Sequence, residues 1–397
     1  MDILVRYLAM LRTAAWPGSR GIARPGLRHY AASAAVLLAL PLLLAYHAVG
    51  FLLDELLFRG YRAVEVESPV FVLGPPRSGT TAVHEVLADD ERFTTFRTWE
   101  CFFGLSVTWR RFWRGVGRVD RRLGRPLGRL ADFMTARLAG GLRDVHPVRL
   151  DAPEEDYFAL LPLLWCFILV VPFPDAPWPW RWGRFDEALS AREKARVMRA
   201  YRRAIQRHLY VHRGKRYLAK NAAFAPLAHT LLDAFPDARV LCCLRAPRAA
   251  LSSQLSSLHP ALIAIHGNYD RKRFAHRMTG LYGFYYRNLF AALEQPGSHR
   301  AAWLPLPALA RLGEAVEDAY RLLGLELTPA FRERLAFRAQ QNRGWRSPHR
   351  HDPARLPVED HVLRQAFGGL GDRFDFRGDR VRAPGVRRDE LARVAGL

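Results

Sequence analysis

The chain has 397 residues, half of them hydrophobic and 12% aromatic, enough to bury a sizeable core and to exclude global disorder. It carries 60 Lys and Arg against 38 Asp and Glu, a net charge of +22, which suits an anionic cofactor or a membrane surface. The basic residues are spread along the chain with no zinc-finger or helix-turn-helix signature, which argues against nucleic acid, and the four cysteines have no metal-ligand spacing, which points to reduced thiols and a cytoplasmic catalytic domain.

Residues 1–29 form a basic segment containing Arg6, Arg12, Arg20, Arg24 and Arg28. From 29 to 53 there is no Lys, Arg, Asp or Glu, and the stretch 30–58 predicts an apolar helix. A bilayer needs about 20 apolar residues, so the segment can span one. It starts too late and runs too long for a cleaved signal peptide. The basic flank puts the N-terminus in the cytoplasm. Pro41 can kink the helix, which would allow insertion into one leaflet with both flanks on one side. Membrane association is expected, with a full span and a one-leaflet insertion both open and a buried soluble helix as the third reading.

The main domain is expected over 66–376. Residues 70–73, Val-Phe-Val-Leu, have the composition of a buried parallel strand. The run breaks at Gly74, Pro75 and Pro76, and Arg77, Ser78, Gly79, Thr80 and Thr81 lead into a periodic helix over 82–87. Strand, tight loop and helix start make an anion site, because free N–H groups and the helix dipole both favour negative charge there. Gly79 admits a phosphate close to the backbone, Thr80 and Thr81 add hydroxyls, and Arg77 adds a planar fork of donors. Gly74 and Gly79 have Walker A spacing, yet Thr80 stands where that motif needs Lys. A nucleotide-dependent kinase, which needs that Lys and Mg²⁺ on the γ-phosphate, is therefore the disfavoured alternative.

Glu100 follows 23 positions after Arg77. Residues 110–129 are rich in Arg and Gly with Phe112 and Trp113 interleaved, the pattern of a basic amphipathic surface helix or a solvated insertion. His146 and the acidic segment 151–156 (Asp151, Glu154, Glu155 and Asp156) come next, the latter reading first as a helix N-terminus. Residues 157–174 are charge-free but broken by Pro162, and Trp178, Trp180 and Trp182 follow; an acceptor pocket, a second membrane patch and a plain core helix all fit. Residues 190–212 predict a helix with Ser190 and Glu193 as a capping box. Residues 216–220 predict a strand ending at Lys220, one of only four lysines. In a chain that uses Arg elsewhere, a retained Lys suggests a task for a compact ammonium. A helix is predicted over 227–235 and a buried strand over 238–244, with Arg245 at its carboxyl end, where ligands of open α/β sheets bind. Ser253 lies eight positions on, in a helix expected over 249–258. A late strand (301–305), a helix (309–323), an Arg- and Gly-containing segment (341–346) and a polar tail (377–397) complete the chain.

The loop at 76–81, Pro-Arg-Ser-Gly-Thr-Thr, resembles the 5′-phosphosulfate loop of sulfotransferases that use 3′-phosphoadenosine 5′-phosphosulfate (PAPS), in the form of the tyrosylprotein and many bacterial enzymes; the cytosolic type has Lys where Arg77 stands. Arg245 and Ser253 resemble the 3′-phosphate motif, with Ser252 able to substitute. Lys220 and Phe224 resemble the Lys-x-x-x-Phe stretch in which the Lys stabilises the bridging oxygen of the leaving group. By the same resemblance Glu100 is the acceptor base, with His146 as the alternative because cytosolic enzymes use His, and segment 151–156 as the third candidate. The segment 341–346 loosely matches a loop that closes on the nucleotide.

The resemblance covers about 69–376. It implies an α/β, P-loop-like three-layer sandwich with a mostly parallel sheet, preceded here by the apolar helix. The donor would be PAPS, held by Arg77, Ser78, Gly79, Thr80, Thr81, Arg245 and Ser253, with Glu100, Lys220 and Arg77 catalytic and no metal. The acceptor would be a hydroxylated molecule, lipid-like or amphipathic, and the catalytic domain cytoplasmic. A non-catalytic, membrane-anchored nucleotide-binding protein is the alternative from another class.

Overall fold

The computed structural model describes residues 2–16, 21–24, 26–138, 149–294, 300–341 and 352–370. His146, the tail 377–397 and all of the 341–346 segment beyond Gln341 lie outside them. The chain opens with α1 (Asp2–Ala15) and α2 (Leu27–Leu57), then β1 (Val70–Leu73), α3 (Thr80–Leu87), β2 (Phe93–Thr94), α4 (Thr98–Phe103), α5 (Val107–Arg122) and α6 (Pro126–Leu138). The middle holds α7 (Pro177–Trp182), α8 (Phe185–Ala188), α9 (Ala191–Val211), β3 (Arg216–Lys220), α10 (Ala228–Ala234), β4 (Arg239–Leu244), α11 (Pro247–His266) and α12 (Arg271–Leu293). It ends with β5 (Arg300–Pro305), α13 (Leu312–Leu322), α14 (Pro329–Gln341) and α15 (Asp360–Phe367).

The five strands form one sheet in the order β2-β3-β1-β4-β5, and every pairing is parallel. Side chains alternate across it as strand geometry requires. Phe71, Leu73, Cys242 and Leu244 enter a core with α9–α12, while Val70, Val72, Leu241 and Cys243 enter a second core with α3, α13 and α14. The expected three-layer α/β/α sandwich is thus present, and Cys242 and Cys243 lie on opposite faces, buried and unpaired like Cys101 and Cys166. The capping box of α9 forms as read, Ser190 accepting from Glu193 N and Glu193 from Ser190 N.

The stretch 157–174 is not a continuous helix. It folds as two 3₁₀ turns, Asp156–Leu163 and Phe167–Val170, and Trp165, Phe173, Trp178 and Trp182 line the main core.

The apolar N-terminal helix α2 runs unbroken through Pro41 for 31 residues. It lies along the domain. His29 Nδ1 meets His266 Nδ1 of α11 at 2.9 Å near one end. At the other end Asp54 forms an ion pair with Arg207 of α9 at 2.8 Å and accepts from the first backbone N–H groups of α5.

Candidate active site

The loop after β1 needs its glycines. Gly74 has φ +149°, and a Cβ there would meet Cys243 O at 2.4 Å; Gly79 has φ +92°, and a Cβ would meet the Leu309 and Leu306 side chains at 2.6 and 2.8 Å. Arg77 also has positive φ, +70°, a conformation that costs a non-glycine residue about 1–3 kcal/mol. The surroundings hold it there: Arg245 Nη1 donates to Arg77 O and Tyr282 OH to Pro76 O, each at 3.1 Å. Ser78 is fully buried, and its Oγ has no hydrogen-bond partner.

The sheet order places β3 and β4 on either side of β1. Lys220, the loop and Arg245 therefore emerge side by side at carboxyl ends, at the point where the strand order reverses, which is where ligands of such sheets bind. Lys220 Nζ donates to Thr81 Oγ1 at 3.2 Å and pairs with Glu155 Oε1 at 3.1 Å. Arg77 Nε donates to Ser253 Oγ at 3.1 Å. Burial pushes the Arg77 guanidinium below its usual value, with Tyr282 and Glu155 opposing and Arg245 adding to the shift. Eight of the nine expected site residues thus share one region. One detail differs: the sequence reading puts Arg77 and Ser253 at opposite ends of the donor, whereas here their side chains are bonded to each other.

Glu100 makes none of these contacts. It sits at the third position of α4 and accepts from Arg97 N at 3.1 Å, capping the helix. Its other oxygen meets Arg110 Nε at 3.0 Å and Arg114 Nη2 at 3.7 Å. With 1% of its side chain exposed, it is committed to a buried ion pair. The carboxylate beside Lys220 is Glu155, not Glu100. Glu100 also lies with His208 and His212 within 4.8 Å, in metal-ligand range. The guanidinium groups of Arg110 and Arg114 already surround that carboxylate, so the cluster reads as an ion-pair network.

Segment 151–156 thus enters the site through Glu155. Glu154 N donates to Phe96 O at 2.9 Å, and Tyr157 N donates to Asn221 Oδ1 at 3.0 Å, tying the segment to the residue after Lys220. Asp156 accepts from Tyr201 OH at 2.5 Å, and from Tyr217 OH and Asn221 Nδ2. No local pattern distinguishes Glu155 from Glu154; the long-range bonds on both sides of it decide.

Burial raises the Asp156 carboxyl from 3.8 to about 6, against the lowering effect of Tyr201, Tyr217 and Asn221. A folded value above the unfolded one means the folded state binds the extra proton. This group's contribution to stability is therefore fullest below about pH 4 and is lost as pH rises through about 6. Urea unfolding of the wild type and Asp156→Asn should show the wild-type advantage shrinking by about 1 kcal/mol between about pH 5 and 8. A flat difference would mean the carboxyl stays ionised on its three donors throughout.

A cleft of about 590 Å³ between α8, α9, α10 and α12 is lined by Asp186, Lys194, His229 and Asn288 and by none of the loop, Lys220, Glu155, Arg245 or Ser253. One of its carboxylates, Asp186, caps the start of α10 through His229 N.

A profile of the sulfotransferase family matches residues 69–329. Curated relatives named omega-hydroxy-beta-dihydromenaquinone-9 sulfotransferase Stf3, from Mycobacterium bovis and Mycobacterium tuberculosis, are 27% identical over 217 residues, 51% of this chain and 48% of theirs. The chain spans about half the length of the curated relatives it matches. The fold is similar to that of sulfotransferase STF1 from Mycobacterium tuberculosis, with TM-score 0.70, 19% identity and 93% of each chain covered. It is also similar to STF9 from Mycobacterium avium, with TM-score 0.67, 18% identity and coverage of 96% and 97%.

Proposed function

Because the chain belongs to the sulfotransferase family, we propose that it transfers a sulfuryl group from PAPS to a hydroxyl of a lipid-like acceptor. The observation that carries this reading is the meeting of Thr81, Lys220 and Glu155 at the mouth of the loop. The loop suits a sulfonate and phosphate: Ser78 Oγ is buried without a partner, and Gly79 takes the left-handed φ of +92° from which α3 starts. The acceptor is taken from two supports. The curated relatives are named for a menaquinone-derived substrate, and α2 is apolar over most of its length.

PAPS, when bound, supplies the sulfuryl group. Glu155 takes the proton from the acceptor hydroxyl as its oxygen forms the new S–O bond. Lys220 neutralises charge on the bridging oxygen as the old S–O bond breaks, an interaction that grows only in the transition state and so accelerates the step. Thr81 orients that ammonium. Arg77 and the loop N–H groups hold the sulfonate, and Arg245 and Ser253 hold the 3′-phosphate. In this reading the Arg77–Ser253 bond opens when the nucleotide enters. The catalytic domain lies on the cytoplasmic side, where such a donor is made.

Ser253→Ala and Arg77→Ala are expected to leave the fold intact and to weaken nucleotide binding. A hydrogen bond to a charged group contributes about 1.5–3 kcal/mol, roughly tenfold or more in Kd. Calorimetry with adenosine 3′,5′-bisphosphate decides for Ser253, because that ligand keeps the 3′-phosphate; unchanged affinity removes it from the site. The function itself is tested by incubating the protein with PAPS and a bacterial lipid extract and searching for sulfated products by mass spectrometry. A thermal shift with ATP but none with adenosine 3′,5′-bisphosphate would sink the reading.

A further inference from the structure

Helix α2 is built inside out. A helix on a water-soluble protein turns its apolar stripe inward and its polar face outward. Here His29, Ser33, His47 and Asp54 are the buried polar positions, while Leu38 and Leu42 are 74% and 73% exposed and Val49, Leu52 and Leu56 are also exposed. No charged residue interrupts that outer face between residues 29 and 53. Only 22% of the apolar window is buried, so the helix is not a core element either.

We propose that this outer face docks the enzyme on an anionic lipid bilayer with α2 lying in the plane of the membrane. Two observations carry the orientation. Both ends of α2 are pinned to the domain, at His266 of α11 and at Arg207 of α9. A 31-residue helix is about 46 Å long, against a hydrocarbon core of about 30 Å. A crossing orientation would drag α9 and α11, and the sheet they cover, into the hydrocarbon. In the plane, the same contacts leave the domain outside.

The neighbouring helices add exposed apolar surface. Helices α1 and α5 pack on α2, and α6 packs on α5. Leu4, Leu8 and Trp16 are exposed at the α1 end, and Phe112, Leu123, Leu127, Leu130 and Phe133 at the other. The charge fits an anionic surface. Helices α5 and α6 and their link expose Arg111, Arg118, Arg121, Arg122, Arg125 and Arg129; of the two acids there, Asp120 is buried and only Asp132 is exposed. Basic side chains near such a surface are attracted by about 1 kcal/mol each. Tyr30 and Trp113 are exposed amphipathic rings of the kind that settle at a headgroup level.

The purpose of this placement, though not its measurement, rests on the lipid-acceptor reading. The 3₁₀ turn Asp156–Leu163 begins next to Glu155 and packs against α2, and Arg6 of α1 donates to Leu163 O at 2.8 Å. A hydroxyl presented from the bilayer thus meets the segment that carries the carboxylate beside Lys220.

The test uses the full chain and vesicles of equimolar phosphatidylglycerol and phosphatidylcholine. Flotation is expected to show binding that weakens at high salt and falls at least tenfold on phosphatidylcholine alone. The double variant Leu38→Glu, Leu42→Glu should lose binding at least tenfold while keeping its affinity for adenosine 3′,5′-bisphosphate. Orientation is read separately. Leu38→Cys, Val49→Cys and Leu56→Cys can each carry a fluorescent label, because the four native cysteines are buried. Quenching by brominated lipids should place all three labels at one shallow depth. A graded depth, or labels accessible from opposite sides of the vesicle, would overturn the in-plane placement. Unaltered binding in the double variant, or a discrete dimer in detergent-free buffer that excludes vesicles, would overturn the docking face. Failure of nucleotide binding would sink the sulfotransferase reading and leave both lipid measurements intact.

Discussion

Glu155→Gln is expected to lower kcat by about 10²–10⁴-fold, the usual cost of removing a general base, with little change in affinity for adenosine 3′,5′-bisphosphate. The carboxylate is 3.1 Å from Lys220 Nζ and 18% exposed, so an acceptor hydroxyl can reach it. Lys220→Ala should lower kcat as well, and Lys220→Arg should rescue poorly, because a planar fork fits badly between Thr81 and Glu155. Glu100→Gln should behave differently. Its loss leaves the fully buried Arg110 without a counter-ion, and breaking a buried pair costs about 3–5 kcal/mol, so its first effect should be on stability. The measurement is the single-turnover rate with PAPS and lipid extract, set beside urea unfolding of each variant. A near-normal rate for Glu155→Gln with a collapsed rate in a stably folded Glu100→Gln would return the base to Glu100.

Asp54→Ala is expected to destabilise the fold by about 3–5 kcal/mol. One carboxylate does four jobs at the foot of α2. It pairs with Arg207 at 2.8 Å, and it accepts from Val107 N, Thr108 N and Thr108 Oγ1 at 2.8–2.9 Å. Its removal leaves Arg207 with Tyr61 OH at 2.8 Å and Glu55 at 3.5 Å, and opens the N-terminus of α5. Removing residues 1–58 takes away the same carboxylate, so the truncated chain should be unstable rather than simply freed from the membrane. Urea unfolding in mild detergent checks both variants. If the truncated chain unfolds within about 1 kcal/mol of the full one, α2 is an appendage after all.

Much of the site was legible in the sequence because its parts are local. The apolar run 70–73, the break at Gly74 and the helix start at Thr80 follow one another directly, and short-range sterics turn that order into an anion-binding loop. Lys220 and Arg245 were legible for a similar reason: each closes a run that reads as a strand, and strand ends are where such sheets bind ligands. Which carboxylate stands beside Lys220 was not legible. Glu100 had the expected spacing, but its position in the first turn of α4 bound it to Arg97 N and Arg110. Glu155 reached Lys220 only because Tyr157 N found Asn221 across 64 residues and Glu154 N found Phe96. Composition alone said that α2 avoids water. Which side it would hide was decided when Asp54 met Arg207, 153 residues away. Spacing along the chain encodes contacts within a turn or a strand, whereas pairings over such distances depend on how whole elements pack.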